Sequence, residues 1–186
     1  MRLRVLSRAA HRRLVSEYAV LEPTSSFAGA TCDGEVTASG WDARTWTTAV
    51  PVAGRPALIG AVLRMQVHTA AGLWVDAGAL PVAVGTTLVQ SIGVGPLRML
   101  IPTRVVRVVD EPGRSGFAYA TLRGHPEDGE EAFVVEQLPD GSWRFRVTAL
   151  SRPASFLVRW SGPLGGLAQQ AAVHRYLRAA RRIAGA

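Results

Sequence analysis

The chain of 186 residues has the length of one globular domain, and its hydrophobic fraction of 48% excludes a disordered protein, because disorder requires low hydrophobicity and high net charge. A single cysteine, Cys32, excludes an internal disulfide framework and a cysteine-based zinc site. The net charge of +7 comes from 21 basic residues, all of them arginine, against 14 acidic residues.

The positive charge is concentrated at the two ends of the chain. Residues 1–13 hold five arginines and residues 175–186 hold four, and neither stretch contains an acid. A nucleic-acid-binding domain is expected instead to carry a basic patch with interleaved aromatic side chains. The pattern therefore favours two amphipathic helices with solvated arginine faces, and it predicts no specific nucleic-acid partner.

Residues 1–40 are predicted to form an N-terminal helix followed by an irregular arm. The helix falls within residues 1–14, where apolar side chains recur at helical spacing at Leu3, Leu6, Ala10 and Leu14. This helix either lies on the rest of the protein or binds an anionic membrane surface. Because residues 1–14 lack the unbroken apolar run of a secretory signal, we expect a cytoplasmic location, with the membrane periphery as the alternative.

Residues 41–186 are predicted to fold as a single domain that begins with a strand and a helix. The strand covers residues 45–52 and is followed by Gly and Pro, which favour a turn. The helix covers residues 57–70 and ends at Gly72. Its predicted buried face consists of Leu58, Ala61, Val62 and Met65.

The middle of the chain is dense in predicted strands, separated by short turns rich in Gly, Pro and Asp. Such short connections require neighbouring strands to be antiparallel. A long helix then opens at Gly162-Pro163 and ends near Ile183, because proline is favourable in the first turn of a helix. The six strands cover residues 73–79, 82–92, 103–109, 116–122, 132–138 and 142–150.

This order of elements predicts an α+β fold, in which the long C-terminal helix covers one face of a curved antiparallel sheet of about six to seven strands. Aromatic residues alternate with polar ones along the last strand, so one of its faces is apolar. The apolar stripe of the helix consists of Val173, Tyr176, Leu177, Ala180 and Ile183. The concave side of such a sheet is filled either by the helix alone or by the helix together with a ligand.

Two stretches carry a specific resemblance to a known family. They are GFAYATLRGHPEDGEEAF at residues 116–133 and ALSRPA at residues 149–154. With them, the chain resembles the family called domain of unknown function nineteen-ninety from about Gly40 to Ile183. Two residues depart from the family pattern: Ala120 stands where glycine is expected and Arg123 where proline is expected.

The resemblance implies a fold but no reaction, since the family has no assigned biochemical function. The order of elements in the family is similar to that of the helix-grip superfamily, also called SRPBCC, which includes START-type lipid-binding domains and polyketide cyclases. The resemblance therefore implies an apolar cavity between the sheet and the C-terminal helix. The ligand-binding residues expected there are Trp74, Tyr119, Trp143, Phe145, His174 and Tyr176.

Charged and histidine residues near this cavity have both functional and structural interpretations. We expect Glu131 and Arg152 to pair as a structural salt bridge, with a ligand clamp as the alternative. His125 lies among acidic residues in the segment 124–129, but Gly and Pro there favour a turn over a metal site. His68 lies in the first predicted helix of the domain and is expected to be a packing residue. No metal and no cofactor are expected.

Three functions remain open from the sequence. The first is the binding of a small apolar or aromatic ligand, such as a lipid-like molecule or a secondary metabolite. The second is an enzyme of the cyclase, dehydratase or isomerase type, with His174, Glu131 or Arg152 carrying protons or orienting the substrate. The third is a peripheral protein whose arginine-rich terminal helices bind anionic membrane or nucleic acid.

Overall fold

An antiparallel sheet organises the part of the chain that the structure, a computed structural model, describes: residues 3–5, 7–34, 36–154 and 163–186. Seven strands lie side by side in the order β2-β8-β7-β6-β5-β4-β3, and the short β1 pairs with the beginning of β5. The strands are β1 (Leu3–Val5), β2 (Asp42–Val50), β3 (Trp74–Ala77), β4 (Thr87–Val94), β5 (Leu97–Glu111), β6 (Arg114–Thr121), β7 (Glu127–Gln137) and β8 (Trp143–Pro153).

Four α-helices accompany the sheet within the described residues, together with two short 3₁₀ segments at Ala30–Asp33 and Val52–Gly54. The helices are α1 (Arg8–Tyr18), α2 (Arg55–Leu63), α3 (Gln66–Ala70) and α4 (Pro163–Ala184). The predicted α+β architecture, with an antiparallel sheet and a long C-terminal helix, is therefore confirmed. None of the described helices combines the length and the apolar character that a membrane span requires.

One face of the sheet, called the inner face below, packs against α2, α3 and α4. Alternate side chains of the central strands point to it, as the pleat of a β-strand requires. The register of β5 against β6 shifts between Val105 and Arg107, and a bulge of this kind bends a strand. The buried residues of this core include Phe117, Phe133, Val135, Phe145 and Val147 from the sheet, and Leu58, Val62, Val67, Val173 and Ala180 from the helices.

The opposite face, called the outer face below, is covered by α1 and by the arm that follows it. Leu14 and Tyr18 of α1 are buried in a cluster with Val89, Leu100 and Leu122. Two residues of the predicted apolar stripe, Ala10 and Leu14, therefore pack against the sheet and are not free to bind a membrane. This arrangement weakens the membrane interpretation of residues 1–14.

The arm is held to the outer face by Glu130, which is 2% exposed. Its carboxylate accepts hydrogen bonds from the backbone N–H groups of Gly29, at 2.8 Å, and Thr31, at 3.0 Å, and from the Thr31 hydroxyl at 2.6 Å. Cys32 is fully buried beside them, and burial raises the pKa of its thiol to about 12. Cys32 is thus a small packing residue with an unreactive, protonated thiol.

The N-terminal helix begins later than its sequence pattern predicts. Residues 3–5 form β1, and α1 starts at Arg8, where the Ser7 hydroxyl caps the helix by accepting from the Ala10 N–H at 3.2 Å. A serine at this position satisfies one of the free N–H groups of the first turn. Residues 1, 2 and 6 of the predicted helix, and Gly162 of the C-terminal one, lie outside the described residues.

The predicted helix over residues 57–70 is in fact two helices. Met65 adopts a left-handed conformation with φ of 59° and separates α2 from α3. The four residues of the predicted buried face are all buried, at 0 to 2% exposure. Val67, which a straight continuation of α2 would place on the opposite side of the helix, is buried after this change of direction, and His68 is buried with it.

Candidate functional site

A tyrosine and a glutamate face each other on the inner face, in the middle of the sheet. Tyr119 of β6 and Glu131 of β7 are direct partners in the antiparallel register. Side chains directly opposite each other in such a pair lie close enough to interact. The Tyr119 hydroxyl donates a hydrogen bond to the Glu131 carboxylate at 2.5 Å. Tyr119 is 3% exposed, whereas Glu131 is half-buried and keeps part of its surface accessible.

Further polar groups from other elements adjoin this pair. Tyr176 of α4 and Gln90 of β4 both interact with the Tyr119 hydroxyl. Gln90 is fully buried, and its Nε2 donates to the Thr103 hydroxyl of β5 at 3.3 Å. Residues far apart in the sequence thus form one polar cluster next to the apolar core of the inner face.

Burial controls the ionisation of this cluster. It raises the pKa of Glu131 to about 7; the hydrogen bond from Tyr119 opposes the rise and the negative charge of Glu127 adds to it. Burial, together with the charge of Glu131, also raises the pKa of Tyr119 and of Tyr176 well above the ordinary value. Near neutral pH the tyrosines are therefore protonated donors, and Glu131 can both release and accept a proton.

Below the polar cluster, aromatic side chains fill the inner face. His68 of α3 lies among them, with its ring centre 4.4 Å from that of Phe133 and 4.8 Å from that of Tyr176. It is fully buried, and burial lowers its pKa to about 3. His68 is therefore a neutral packing residue near pH 7, in agreement with the expectation from the sequence. Phe117 and Phe145 complete this filled region.

The end of the inner face beyond Glu131 is charged. Glu127 precedes Glu131 on the same side of β7, and burial raises its pKa. A hydrogen bond with Ser151 and the positive charge of Arg44 oppose that rise, while Asp42 adds to it. The inner face thus changes along β7 from apolar at Phe133, through the Tyr119–Glu131 pair, to charged at Glu127.

The structure brings together three of the six residues predicted to bind a ligand. Tyr119, Phe145 and Tyr176 all belong to the core of the inner face. Trp143 belongs to the same core, but it lies at the end of β8 remote from Glu131, with the Arg55 guanidinium 4.5 Å above its ring.

Trp74 and His174 do not join this group. Trp74 is on the outer face, where the guanidinium groups of Arg8 and Arg98 lie 4.2 Å and 3.9 Å from its ring centre. Its neighbours on β3, Val75 and Ala77, are the residues that contact the inner core. His174 is exposed on α4, because it lies off the apolar stripe that contains Val173 and Tyr176.

The predicted pairing of Glu131 with Arg152 is wrong. In the register of β7 and β8, Glu131 lies opposite Ala149, and Arg152 lies opposite Asp128. The odd-numbered and even-numbered positions of a strand face opposite sides, so the two side chains cannot meet. Arg152 instead contacts Asp128 at 3.8 Å and lies over the ring of Trp41 at 4.4 Å.

The segment with His125 is a turn between β6 and β7, as its composition predicts. The Glu127 N–H donates to Nδ1 of His125 at 2.9 Å, which closes the turn locally. Over the residues that the structure describes, no group of three or more potential ligands has the arrangement needed to hold a metal ion.

Sequence reasoning missed Gln90 and Thr103 as members of the polar cluster. Both lie in strands that were predicted, and they reach Tyr119 only through the pairing of β4, β5 and β6. The Tyr119–Glu131 contact could have been predicted from the sequence, since the short connection between β6 and β7 limits the possible registers.

Comparisons with known proteins show the family of this chain. The family model described as Domain of unknown function (DUF1990) matches residues 28–179. The chain belongs to the DUF1990 family. A UPF0548 protein of Deinococcus radiodurans is 43% identical over 89 residues, which are 48% of this chain and 45% of that protein. The alignment with this curated relative therefore spans less than half of its length.

Solved structures show the fold of this DUF1990 protein at low sequence identity. A hypothetical protein from Helicobacter pylori has a TM-score of 0.52 at 9% identity, covering 76% of this chain and 88% of that one. A norcoclaurine synthase from Thalictrum flavum has a TM-score of 0.51 at 13% identity, covering 80% and 97% of the two chains. These likenesses show the helix-grip fold, and the family model confirms the predicted family.

Proposed function

We propose that the inner face binds a small apolar or aromatic molecule whose polar group meets the Tyr119–Glu131 pair. One observation carries this proposal: next to the apolar core of the inner face, Glu131, a residue that keeps partial exposure, places its carboxyl beside a buried tyrosine hydroxyl. Small-molecule sites typically combine apolar walls with a few polar groups that orient the ligand. Tyr119, Phe145 and Tyr176 are the proposed aromatic residues of the site.

Unpartnered polar atoms near the pair support the same proposal. Within the described residues, the side-chain oxygen of Gln90 and both ring nitrogens of His68 are buried without a hydrogen-bond partner. Leaving such groups unsatisfied costs free energy, so most buried polar groups have a partner. A ligand, or a water bridging to it, would supply one. A norcoclaurine synthase of the same fold has been solved with a transition-state analogue, so this fold is compatible with a bound small molecule.

Enlarging the side chain opposite Glu131 is expected to weaken the binding of an apolar probe. Ala149 of β8 lies directly opposite Glu131 and is 3% exposed, so Ala149→Leu places extra methyl groups next to the carboxyl. We expect the affinity for the neutral fluorophore N-phenyl-1-naphthylamine to fall by about 10-fold or more, as for the loss of roughly 1.4 kcal/mol of binding free energy. Fluorescence titration measures the change.

The matched control is Ala43→Leu in the neighbouring strand β2. It adds the same groups at an exposed position on the outer face of the sheet. Equal affinities in the wild type, Ala149→Leu and Ala43→Leu would overturn the assignment of the site. Thermal unfolding of both variants distinguishes a blocked site from a lost fold. Native mass spectrometry after exposure to a metabolite extract then identifies the class of ligand.

The second candidate function is proton transfer on a bound substrate, as in a cyclase, dehydratase or isomerase. The pKa of about 7 at Glu131 favours it, because a general acid–base group works best with a pKa near the operating pH. His174 and Arg152, the other groups considered for this role, are exposed, with the Arg152 side chain at 51%. Glu131 is therefore the proton carrier in this proposal.

Replacing Tyr119 by phenylalanine is expected to raise the pKa of Glu131 above 7. The Tyr119 hydrogen bond stabilises the ionised carboxylate and opposes the effect of burial, so its loss favours the protonated form. Carbon-13 NMR of the Glu131 side-chain carboxyl, followed against pH, measures both midpoints. Glu127→Gln provides the opposite control, because removing that negative charge lowers the midpoint. A wild-type midpoint near the ordinary value of 4.5 would contradict the proton-transfer proposal.

A further inference from the structure

A cleft lined by four arginines lies where the C-terminal end of α4 meets the end of α3. Its volume is about 540 Å³, and its lining residues include Arg175, Arg178, Arg181 and Arg182 of α4 and the turn Ala70–Gly72. The cleft is open to solvent and contains none of the residues of the Tyr119–Glu131 site. Its volume is in the range of small-molecule sites, which span about 300 to 1,000 Å³.

Within the described residues, no aspartate or glutamate side chain pairs with the positive charges of this cleft. Among the ion pairs of the described residues, none involves any of the four arginines, and residues 175–186 contain no acid. Their recorded hydrogen bonds go to backbone carbonyls: Arg178 donates to His174 at 3.4 Å and Arg182 to Ala70 at 3.2 Å. All four side chains are exposed and accessible to a ligand.

The helical spacing of the arginines brings like charges together. Arg175 and Arg181 each lie three positions from Arg178, and Arg182 lies four positions from it. Like charges at these spacings destabilise a helix. The C-terminal end of a helix attracts cations, which partly offsets this repulsion. That attraction favours cations at the end of α4, but it does not explain why the four arginines line one cleft together with the end of α3.

We propose that this cleft binds the phosphate groups of a ligand, carried either by a free phosphorylated molecule or by an anionic lipid headgroup. The guanidinium group presents a planar fork of N–H donors that fits phosphate oxygens in a bidentate manner. A ligand with two or more negative charges can contact several arginines at once and remove their mutual repulsion. The proposal is independent of the inner-face site.

The test compares two charge-matched double variants by calorimetric titration with inorganic pyrophosphate. Arg178→Gln/Arg182→Gln removes two cations from the cleft, and Arg13→Gln/Arg123→Gln removes two exposed cations elsewhere. We expect pyrophosphate affinity to fall by about 10-fold or more in the first variant, because it removes two charged donors and hydrogen bonds to charged groups are stronger than neutral ones. In the second, we expect a change of about 2-fold or less, because exposed, distant charges are screened by salt.

A second pair, Arg175→Gln/Arg181→Gln, is expected to give the same loss as the first. Vesicles of phosphatidylcholine with and without phosphatidic acid distinguish the sources of phosphate. Cleft-dependent binding of pyrophosphate indicates a free ligand, and cleft-dependent binding of phosphatidate vesicles alone indicates a lipid headgroup. Equal effects of the cleft and control variants, or no binding of either probe by the wild type, would overturn the proposal. Binding of the neutral naphthylamine probe should stay unchanged in every arginine variant.

Discussion

Replacing Glu136 by alanine is expected to destabilise the protein by about 3 to 5 kcal/mol, because it leaves a buried arginine without its counter-ion. Glu136 and Arg146 are 7% and 3% exposed on the outer face. Arg146 donates to both carboxylate oxygens of Glu136, at 2.7 Å and 3.0 Å, and Arg144 donates to one of them at 2.8 Å. Urea unfolding, followed by circular dichroism, measures the change in the free energy of unfolding.

Arg146 also binds the arm, so the loss of its ion pair with Glu136 affects a second part of the fold. Its guanidinium group also donates to the backbone carbonyls of Thr31, at 3.2 Å, and Cys32, at 2.8 Å, in the arm. Burial alone would raise the pKa of Glu136, but the hydrogen bonds and charges of Arg146 and Arg144 outweigh it and lower that pKa. The carboxylate is therefore ionised at neutral pH, and its removal uncovers a full positive charge.

An exposed ion pair provides the control for this prediction. Asp42 contacts Arg44 at 2.6 Å, with side-chain exposures of 55% and 42%. Such pairs contribute about 0 to 1 kcal/mol, so Asp42→Ala should have an effect in that range. Similar losses for Glu136→Ala and Asp42→Ala would show that burial does not govern the strength of the Glu136 ion pair.

Glu131→Gln is expected to stabilise the protein at pH 8 by up to roughly 3 kcal/mol, and to have little effect at pH 4. Burial raises the pKa of Glu131 from 4.5 to about 7 in the folded state, so folding favours the protonated carboxyl. The wild type therefore loses stability as the pH rises from 4.5 to 7, the interval in which the folded state holds this proton and the unfolded state has released it. Glutamine resembles the protonated side chain and has no proton to release.

The measurement is the difference in unfolding free energy between the wild type and Glu131→Gln at several pH values. Using the difference removes the contributions of other groups such as His68 and His125, whose pKa values burial lowers to about 3 and about 4. Glu17→Gln, the same substitution at an exposed position of α1, serves as the reference variant. A difference for Glu131→Gln that does not vary with pH would contradict the raised pKa of Glu131.

Local patterns predicted much of this fold correctly. The spacing of Val173, Tyr176 and Ala180 identified the buried side of α4, and all three residues are 5% exposed or less. The alternation along residues 142–150 correctly placed Phe145 on an apolar face. These predictions succeeded because the period of a helix or a strand is a property of the chain itself and needs no knowledge of distant segments.

The sequence did not correctly predict which face of the sheet a residue lies on or which residue it contacts. Trp74 was expected among the ligand-binding aromatics, but β3 turns it toward α1 and the outer face. Glu131 was expected to pair with Arg152, but the strand register gives it Tyr119 instead. A shift of one residue along a strand moves a side chain to the opposite face, and composition does not specify that shift.

The sequence by itself determined the fold class, the family and the two amphipathic terminal segments, since these depend on periodicity and on local motifs. Only the tertiary structure decided that Tyr119, Glu131, Gln90 and Tyr176 form one polar cluster, and that the arginines of α4 line a cleft with the end of α3. The physical reason is the same in both cases. A site is made by side chains from distant segments, and their meeting depends on strand register and helix packing over the whole chain.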